Sequence, residues 1–520
     1  MRIFLSLVFA CSFFLVQAQL AFNTNTLVFP ATNELQNRTG QVTVYNTAAY
    51  PITITDVDLF NLYNQKPFTV STTSFTIAAG DSTVLDVDFT PRHNVYHDLA
   101  LVLKTNSGFG HKALLLKGQG YYSKTYYAPT QNQTEEALKI ALKNRLAQGY
   151  NSLSYSVARD NMYASIDNTG GSVECVYTGR TANFNTRSGA NANNFNCEHT
   201  FPQGFFNQNL PMRSDIHHLF PTDVSANSRR GNDPFDVVSN ASWSVGGSKS
   251  GGGKFEPRNL QKGATARAMM YFVIRYRDYA NHFQGQENLL RGWHKLYPPS
   301  AAEQSRNNAI FNLQNNRNPF VDYPQFEERI TSFVGSSIAQ PIEDLYFSDD
   351  TVFLAQGSGV YDFNFVIFNN GTNPVTLNNI QVNDPNLAMS TTSVTVQPGE
   401  AAELKIAFDA SLNYNTKLEF DDNRNPVISY SIPVISGPAL SSHDFESPLK
   451  LALYPNPVED ELRIRGYEKI ESIAMCDLGG NCQTIKPKAV LDLSNMAPGF
   501  YIVSGMLKSG DHFQQKLLVR

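Results

Sequence analysis

Asn196-Cys197-Glu198-His199-Thr200-Phe201-Pro202 is followed by Asp215-Ile216-His217-His218-Leu219-Phe220-Pro221 and then by Asn227-Ser228-Arg229-Arg230-Gly231-Asn232. These 37 residues gather carboxylates, asparagines, three arginines and three of the chain's ten histidines. Hydrolysis of a phosphodiester needs a deprotonated water and a cation to neutralise the phosphate oxygens, often with a guanidinium to hold the phosphate in line. Histidine suits the first task because its reference pKa lies near neutrality. Glu198 and the amide oxygen of Asn227 are hard oxygen ligands, and Mg²⁺ prefers one or two of these while keeping several waters.

The local pattern places these groups. Phe195 to Phe201 reads as a short strand after the asparagine-rich turn Asn191-Ala192-Asn193-Asn194. On a strand Glu198 and His199 point to opposite faces, so both serve one site only where the strand ends or twists. Pro202 marks that end. Thr222 or Asp223 can cap a short helix that Gly231 terminates, which sets Asn227 and Arg230 three apart on one face.

With the later Asn316-Arg317-Asn318-Pro319-Phe320, these blocks resemble the bacterial endonuclease I family of secreted, sequence-nonspecific nucleases over roughly residues 121 to 335. The resemblance implies an α+β nuclease domain with a ββα-metal core, in which His199 is the general base and Glu198 and Asn227 bind one Mg²⁺, with Mn²⁺ or Ca²⁺ as substitutes. DNA is the implied substrate, and RNA stays open because no base-reading code is visible. Arg230 is expected to touch the scissile phosphate. Arg213 and Arg229 are read either as contacts to the nucleic-acid backbone or as ordinary surface charges. One of His217 and His218 is expected to be structural, bonded to a carboxylate such as Asp215. Cys197 departs from the large or basic residue that relatives often carry before the glutamate, which bears on the local phosphate contacts.

Two other readings compete. In one, the chain is a surface adhesion or binding protein whose nuclease-like domain is degenerate; the joint presence of Glu198, His199 and Asn227 speaks against it. In the other, His199, His217 and His218 hold zinc; adjacent histidines diverge in direction, which disfavours it.

At 520 residues the chain is too long for one core. Residues 1–18 read as a secretory signal, with Arg2, an apolar run from Ile3 to Val16, and a small residue at the cut. No segment is long and apolar enough for a transmembrane span in the mature chain. Of five cysteines Cys11 leaves with the signal, and an even remainder in an exported protein favours disulfides. Cys175 with Cys197 is the expected bridge beside the strand of Glu198. Residues 121–335 carry 22 Lys and Arg against 17 Asp and Glu, or +5, while the rest carries −10 of the chain's −5 total. The positive part is the part with the phosphate chemistry.

Residues 19–120 are short alternating segments separated by Gly, Asn and Pro, the pattern of a β-sandwich, and resemble an immunoglobulin-like module. Ser71-Thr72-Thr73-Ser74-Phe75-Thr76-Ile77 with Gly80 recurs as Ser390-Thr391-Thr392-Ser393-Val394-Thr395-Val396 with Gly399, so residues 336–440 read as a second such sandwich. Helices are expected over Thr134 to Leu146, Ala264 to Tyr279 and Ala301 to Leu313. Gly251-Gly252-Gly253-Lys254 is read as a flexible loop, because Phe255 stands where a phosphate loop needs Ser or Thr. Residues 446–520, with Leu453-Tyr454-Pro455-Asn456-Pro457-Val458 and Pro498-Gly499-Phe500-Tyr501, resemble the C-terminal sorting domain of type IX secretion substrates, a small β-sandwich. That resemblance implies export by the type IX machinery to the medium or the cell surface.

Overall fold

The computed structural model describes residues 19–59, 66–276, 280–337, 345–424, 427–436, 452–454 and most of 458–519; the secretory-signal expectation for 1–18 lies outside these residues. Four separate hydrophobic cores organise the chain, drawn from residues 20–116, 122–334, 345–434 and 453–519.

The first and third cores lie between pairs of sheets, and the short repeat read in the sequence marks a duplication of the whole topology. In the first unit one sheet runs Leu20–Phe22, Arg38–Asn46, Ser82–Phe89, Phe68–Val70 and the other Thr26–Val28, Lys112–Tyr121, Tyr96–Thr105, Ile52–Leu59, Phe75–Ile77. The later unit repeats both orders, with Leu345–Phe347, Val360–Asn369, Ala401–Asp409, Ala388–Met389 facing Val352–Leu354, Ser429–Ser436, Asn415–Asp422, Val375–Val382, Val394–Val396. Even a buried asparagine recurs. Asn46 Nδ2 donates to the Tyr50 and Ile77 carbonyls, and Asn369 Nδ2 donates to those of Asn373 and Val396. Each amide ties a turn to a distant strand, satisfying groups that would otherwise be buried unpaired.

The two units touch. Phe109 packs against the core of the later one, His111 Nε2 lies 3.0 Å from Asp349, and Ala113 N donates to Glu403 Oε1. Gly110 bridges Asn364 with φ of +86°, where a Cβ would stand 2.2 Å from the Asn364 carbonyl oxygen; only glycine fits that approach. The first unit also meets the mixed domain, through Arg329 Nη2 on Asn94 Oδ1 and Gln325 Nε2 on the Arg92 carbonyl.

The mixed domain, residues 122–334, is helical with short strands. The three expected helices are observed as Glu135–Ala147, Asn259–Tyr276 and Ala301–Gln314. Labels are needed only for the elements around the motif: helix α1 (Tyr155–Asn161), strand β1 (Phe195–His199), strand β2 (Leu219–Asp223), helix α2 (Val224–Arg230) and helix α3 (Asn259–Tyr276). β1 and β2 pair antiparallel, and α2 follows β2 directly. The glycine run is not a loose loop. It closes a hairpin between Ser248–Gly251 and Lys254–Glu256, with Gly252 and Gly253 both at positive φ, as a tight two-residue turn requires.

The expected Cys175 to Cys197 bridge is corrected: both thiols are free and buried. Cys197 pairs with Pro221 from one side of β2, and Val176 N donates to the Pro221 carbonyl from the other. β2 therefore runs between the two cysteines. Two strand spacings are about 10 Å, beyond the roughly 7 Å that a disulfide spans. Cys175 Sγ instead accepts from Asp223 N, and burial pushes the Cys197 thiol up to about 12. Alkylation of unfolded, unreduced protein should label Cys175 and Cys197 fully when peptides are mapped by mass spectrometry; a recovered Cys175 to Cys197 linked peptide would contradict this strand order.

Candidate active site

Alternation along β1 separates its side chains. Phe195 and Cys197 enter the core, His199 lies on their face, and Glu198 points the other way, toward α2. His199 is the last residue of the strand, so the divergence ends in two adjoining chemical groups.

Glu198 is 2% exposed. Its Oε1 accepts from the Tyr177 hydroxyl at 2.7 Å and lies 3.4 Å from Arg230 Nε. Burial raises its pKa, with Arg230 and Tyr177 opposing that shift. The charge is thus only partly compensated, and a cation beside it would complete the balance. α2 brackets this carboxylate. Asn227 Nδ2 approaches the Cys197 carbonyl at 3.5 Å, and Arg230 Nη2 donates to the Thr200 carbonyl at 2.9 Å, one contact on each side of Glu198. The amide orientation leaves Asn227 Oδ1 free of protein donors among the described residues. Glu198 Oε2 and Asn227 Oδ1 are the hard oxygen donors that fit a divalent cation with retained waters. Among the described residues no three His, Cys, Asp or Glu cluster as a metal site.

Arg230 corrects an expectation. Its guanidinium is fully buried, donating to the carbonyls of Thr200, Gly231 and Asp233 and stacking on Phe235. A phosphate cannot reach a group so enclosed, so Arg230 braces Glu198 and ties the end of α2 to β1. The helix itself forms as the sequence indicates, with Gly231 at its end. Asp223 stands at its N-cap, but the carboxylate turns to Thr178 and Arg180 rather than to the helix.

His199 is 7% exposed, its ring 5.5 Å from those of Tyr155 and His218. Nε2 lies 3.1 Å from the Arg213 carbonyl oxygen, which can only accept. The proton therefore sits on Nε2 and the lone pair on Nδ1. Burial first, then the neighbouring His218, lowers its pKa to about 3. Arg213 is half-buried against Tyr155, and Arg229 is exposed on α2.

The second and fourth motif blocks build a buried polar hub behind this pair. Asp215 Oδ2 accepts from the hydroxyls of Tyr271 and Tyr276 on α3, and Oδ1 accepts from Gln314 Nε2 and His217 N. Asn316 Nδ2 donates to the Tyr271 oxygen, and the Asn316 carbonyl accepts from His217 Nε2. Neither His217 nor His218 bonds the Asp215 carboxylate through its ring, as expected of one of them; His218 Nε2 donates to the Met212 carbonyl. With three imidazoles committed to backbone carbonyls, a zinc site from His199, His217 and His218 has no convergent lone pairs. Tyr177, Tyr271, Tyr276 and Gln314 went unpredicted because each is a lone polar residue with no local pattern.

Residues 134–325 match the endonuclease I family, and residues 452–520 match the secretion system C-terminal sorting domain. The chain is 30% identical to an extracellular ribonuclease of Bacillus subtilis (strain 168) over 226 residues, 40% of this chain and 78% of that protein. An extracellular ribonuclease of Bacillus amyloliquefaciens is 30% identical over 228 residues with the same coverage. An extracellular deoxyribonuclease of Aeromonas hydrophila is 31% identical over 122 residues, 22% of this chain and 52% of that protein.

Two outcomes follow from the hub. Asp215→Asn sets an amide N–H₂ against two of the four donors, so it should lower unfolding free energy by about 2 kcal/mol in urea titrations; a change within error would contradict the hub. His217 is buried neutral with its pKa lowered to about 4, and His97 to about 3. The unfolded chain protonates these near 6.5, so their stability contribution is whole above pH 6.5 and is lost as pH falls toward 4. The urea midpoint should drop between pH 7.5 and 5, and an unchanged or higher midpoint at pH 5 would oppose this reading.

Proposed function

We infer that this chain, which belongs to the endonuclease I family and ends in a secretion sorting domain, is an extracellular Mg²⁺-dependent endonuclease cutting DNA and RNA without sequence specificity. The observation that carries it is the pairing of His199, whose Nδ1 lone pair is fixed by the Arg213 carbonyl, with the two free oxygens of Glu198 and Asn227. We read β1, β2 and α2 as a ββα-metal core. The two duplicated sandwiches are read as immunoglobulin-like modules that position the enzyme, and the sorting domain as the export signal for the type IX machinery.

In this mechanism His199 Nδ1 takes the proton of the attacking water while Nε2–H holds the ring in place. The Arg213 carbonyl holds the proton on Nε2, so the Nδ1 lone pair is the one that accepts. Glu198 and Asn227 would hold Mg²⁺, which when bound neutralises the phosphate and the departing oxygen. Tyr177 and Arg230 keep Glu198 oriented by saturating its Oε1, so Arg230 is a positioning residue. Because the nucleophile is water, the substrate needs no 2′-hydroxyl, which supports both polymers. The names of the relatives, two ribonucleases and one deoxyribonuclease, agree with that breadth. Exposed Arg229 is assigned to backbone phosphates at a distance from the scissile linkage.

Digestion of plasmid DNA and of RNA by purified protein, with and without chelator, tests this reading. Both should be cut, activity should vanish with chelator and return with Mg²⁺, and His199→Ala should lose about 10²- to 10⁴-fold in turnover with unchanged circular dichroism. Cleavage indifferent to chelator, or full turnover by His199→Ala, would overturn it.

A further inference from the structure

Two guanidiniums stand beside His199 with no anion to meet them. Arg159, one helical turn after Tyr155 on α1, places its guanidinium carbon 4.2 Å from the Tyr155 ring centre, and Arg213 places its own 4.5 Å from the same centre. The tyrosine hydroxyl faces the Cys197 thiol, and its ring lies 5.5 Å from that of His199.

Several arginines of the domain are matched by carboxylates, as Arg187 is by Asp160, Arg306 by Asp167 and Arg317 by Asp322, while Arg145 and Arg329 are met by backbone carbonyls and side-chain amides. Among the described residues no carboxylate pairs with Arg159 or Arg213; the Nε of each is buried without a hydrogen-bond partner, as are those of Arg230, Arg275 and Arg329, so the buried Nε does not single them out. Two like charges held against one ring repel. That cost falls if an anion meets the pair. The stack is also locked to the reaction centre, because the carbonyl of Arg213 is what holds His199 Nε2.

We propose that Arg159 and Arg213, both held against Tyr155, form a clamp for the backbone phosphate that flanks the scissile one on the substrate strand. The flanking position follows from the layout: the scissile phosphate must meet both the cation at Glu198 and Asn227 and the water beside His199 at the end of β1, which leaves the two arginines for the next phosphate along the strand. Contact with the ring restrains the guanidiniums, so less freedom is lost when phosphate binds. The clamp rests on the nuclease reading.

Wild-type protein, Arg159→Ala, Arg213→Ala and Arg159→Lys are compared in two measurements. The first is salt-dependent binding of a short fluorescent single-stranded oligonucleotide in chelator, which needs no turnover. Each alanine variant should weaken binding about tenfold and reduce the slope of log affinity against log salt by about 0.7; Arg159→Lys should recover the slope but not the full affinity. The second is the ratio of oligonucleotide cleavage to hydrolysis of bis(p-nitrophenyl) phosphate, a diester without a flanking phosphate. That ratio should fall about tenfold or more in the alanine variants. Unchanged slopes would overturn the clamp, as would equal losses on both substrates, which would place the arginines on the scissile phosphate or indicate misfolding. If wild-type protein cleaves neither substrate, the nuclease reading fails, while the binding slopes still decide the clamp.

Discussion

A carboxylate taken out of water must be met by donors, and the site is organised by how Glu198 meets that demand. Tyr177 and Arg230 both engage Oε1, which fixes the side chain and leaves Oε2 for a cation. Arg230 joins the carboxylate to three backbone carbonyls, one after β1 and two after α2, so the proposed metal ligand and the helix carrying Asn227 cannot shift independently. Strand alternation then sends His199 to the other side of β1, where a carbonyl fixes its tautomer. In the proposed site the end of one short strand would thus carry the cation ligand and the base as neighbours.

β1 has only five residues and one strand partner, too little to be rigid alone. The Asp215 hub supplies the missing support. It joins the segment before β2 to two tyrosines of α3 and to the turn at Asn316, all buried and all satisfied. Such a network fixes a unique arrangement when every member is paired. The motif blocks around Asp215 and Asn316 thus serve the site by holding its frame, without touching the reacting atoms.

What was legible in the sequence was whatever repeats or clusters. The Ser-Thr-Thr-Ser repeat foretold a duplicated topology, because the same strand and turn recur in both units. Glu198, His199 and Asn227 stood out through their motif blocks, and Gly231 ended α2 as expected. What long-range packing decides stayed hidden. Nothing local in Arg230 tells a buried brace from a phosphate contact, since that depends on Thr200 and Phe235 closing over it. The cysteine pairing failed for the same reason: the intervening strand comes from residues 219–223, far along the chain. Arg159 carried no signal at all, because its meaning comes from sharing Tyr155 with Arg213.

The central claim is that Glu198 holds the cation while His199, on the other face of the strand, does not. Mn²⁺ titration followed by electron paramagnetic resonance tests it directly on wild-type protein, Glu198→Gln and His199→Gln. The expected result is one tight site in wild type and His199→Gln, and affinity weakened by about tenfold or more in Glu198→Gln, the usual cost of removing a charged ligand or its support. Equal Mn²⁺ affinity in Glu198→Gln and wild type, or loss of the site in His199→Gln alone, would contradict the account.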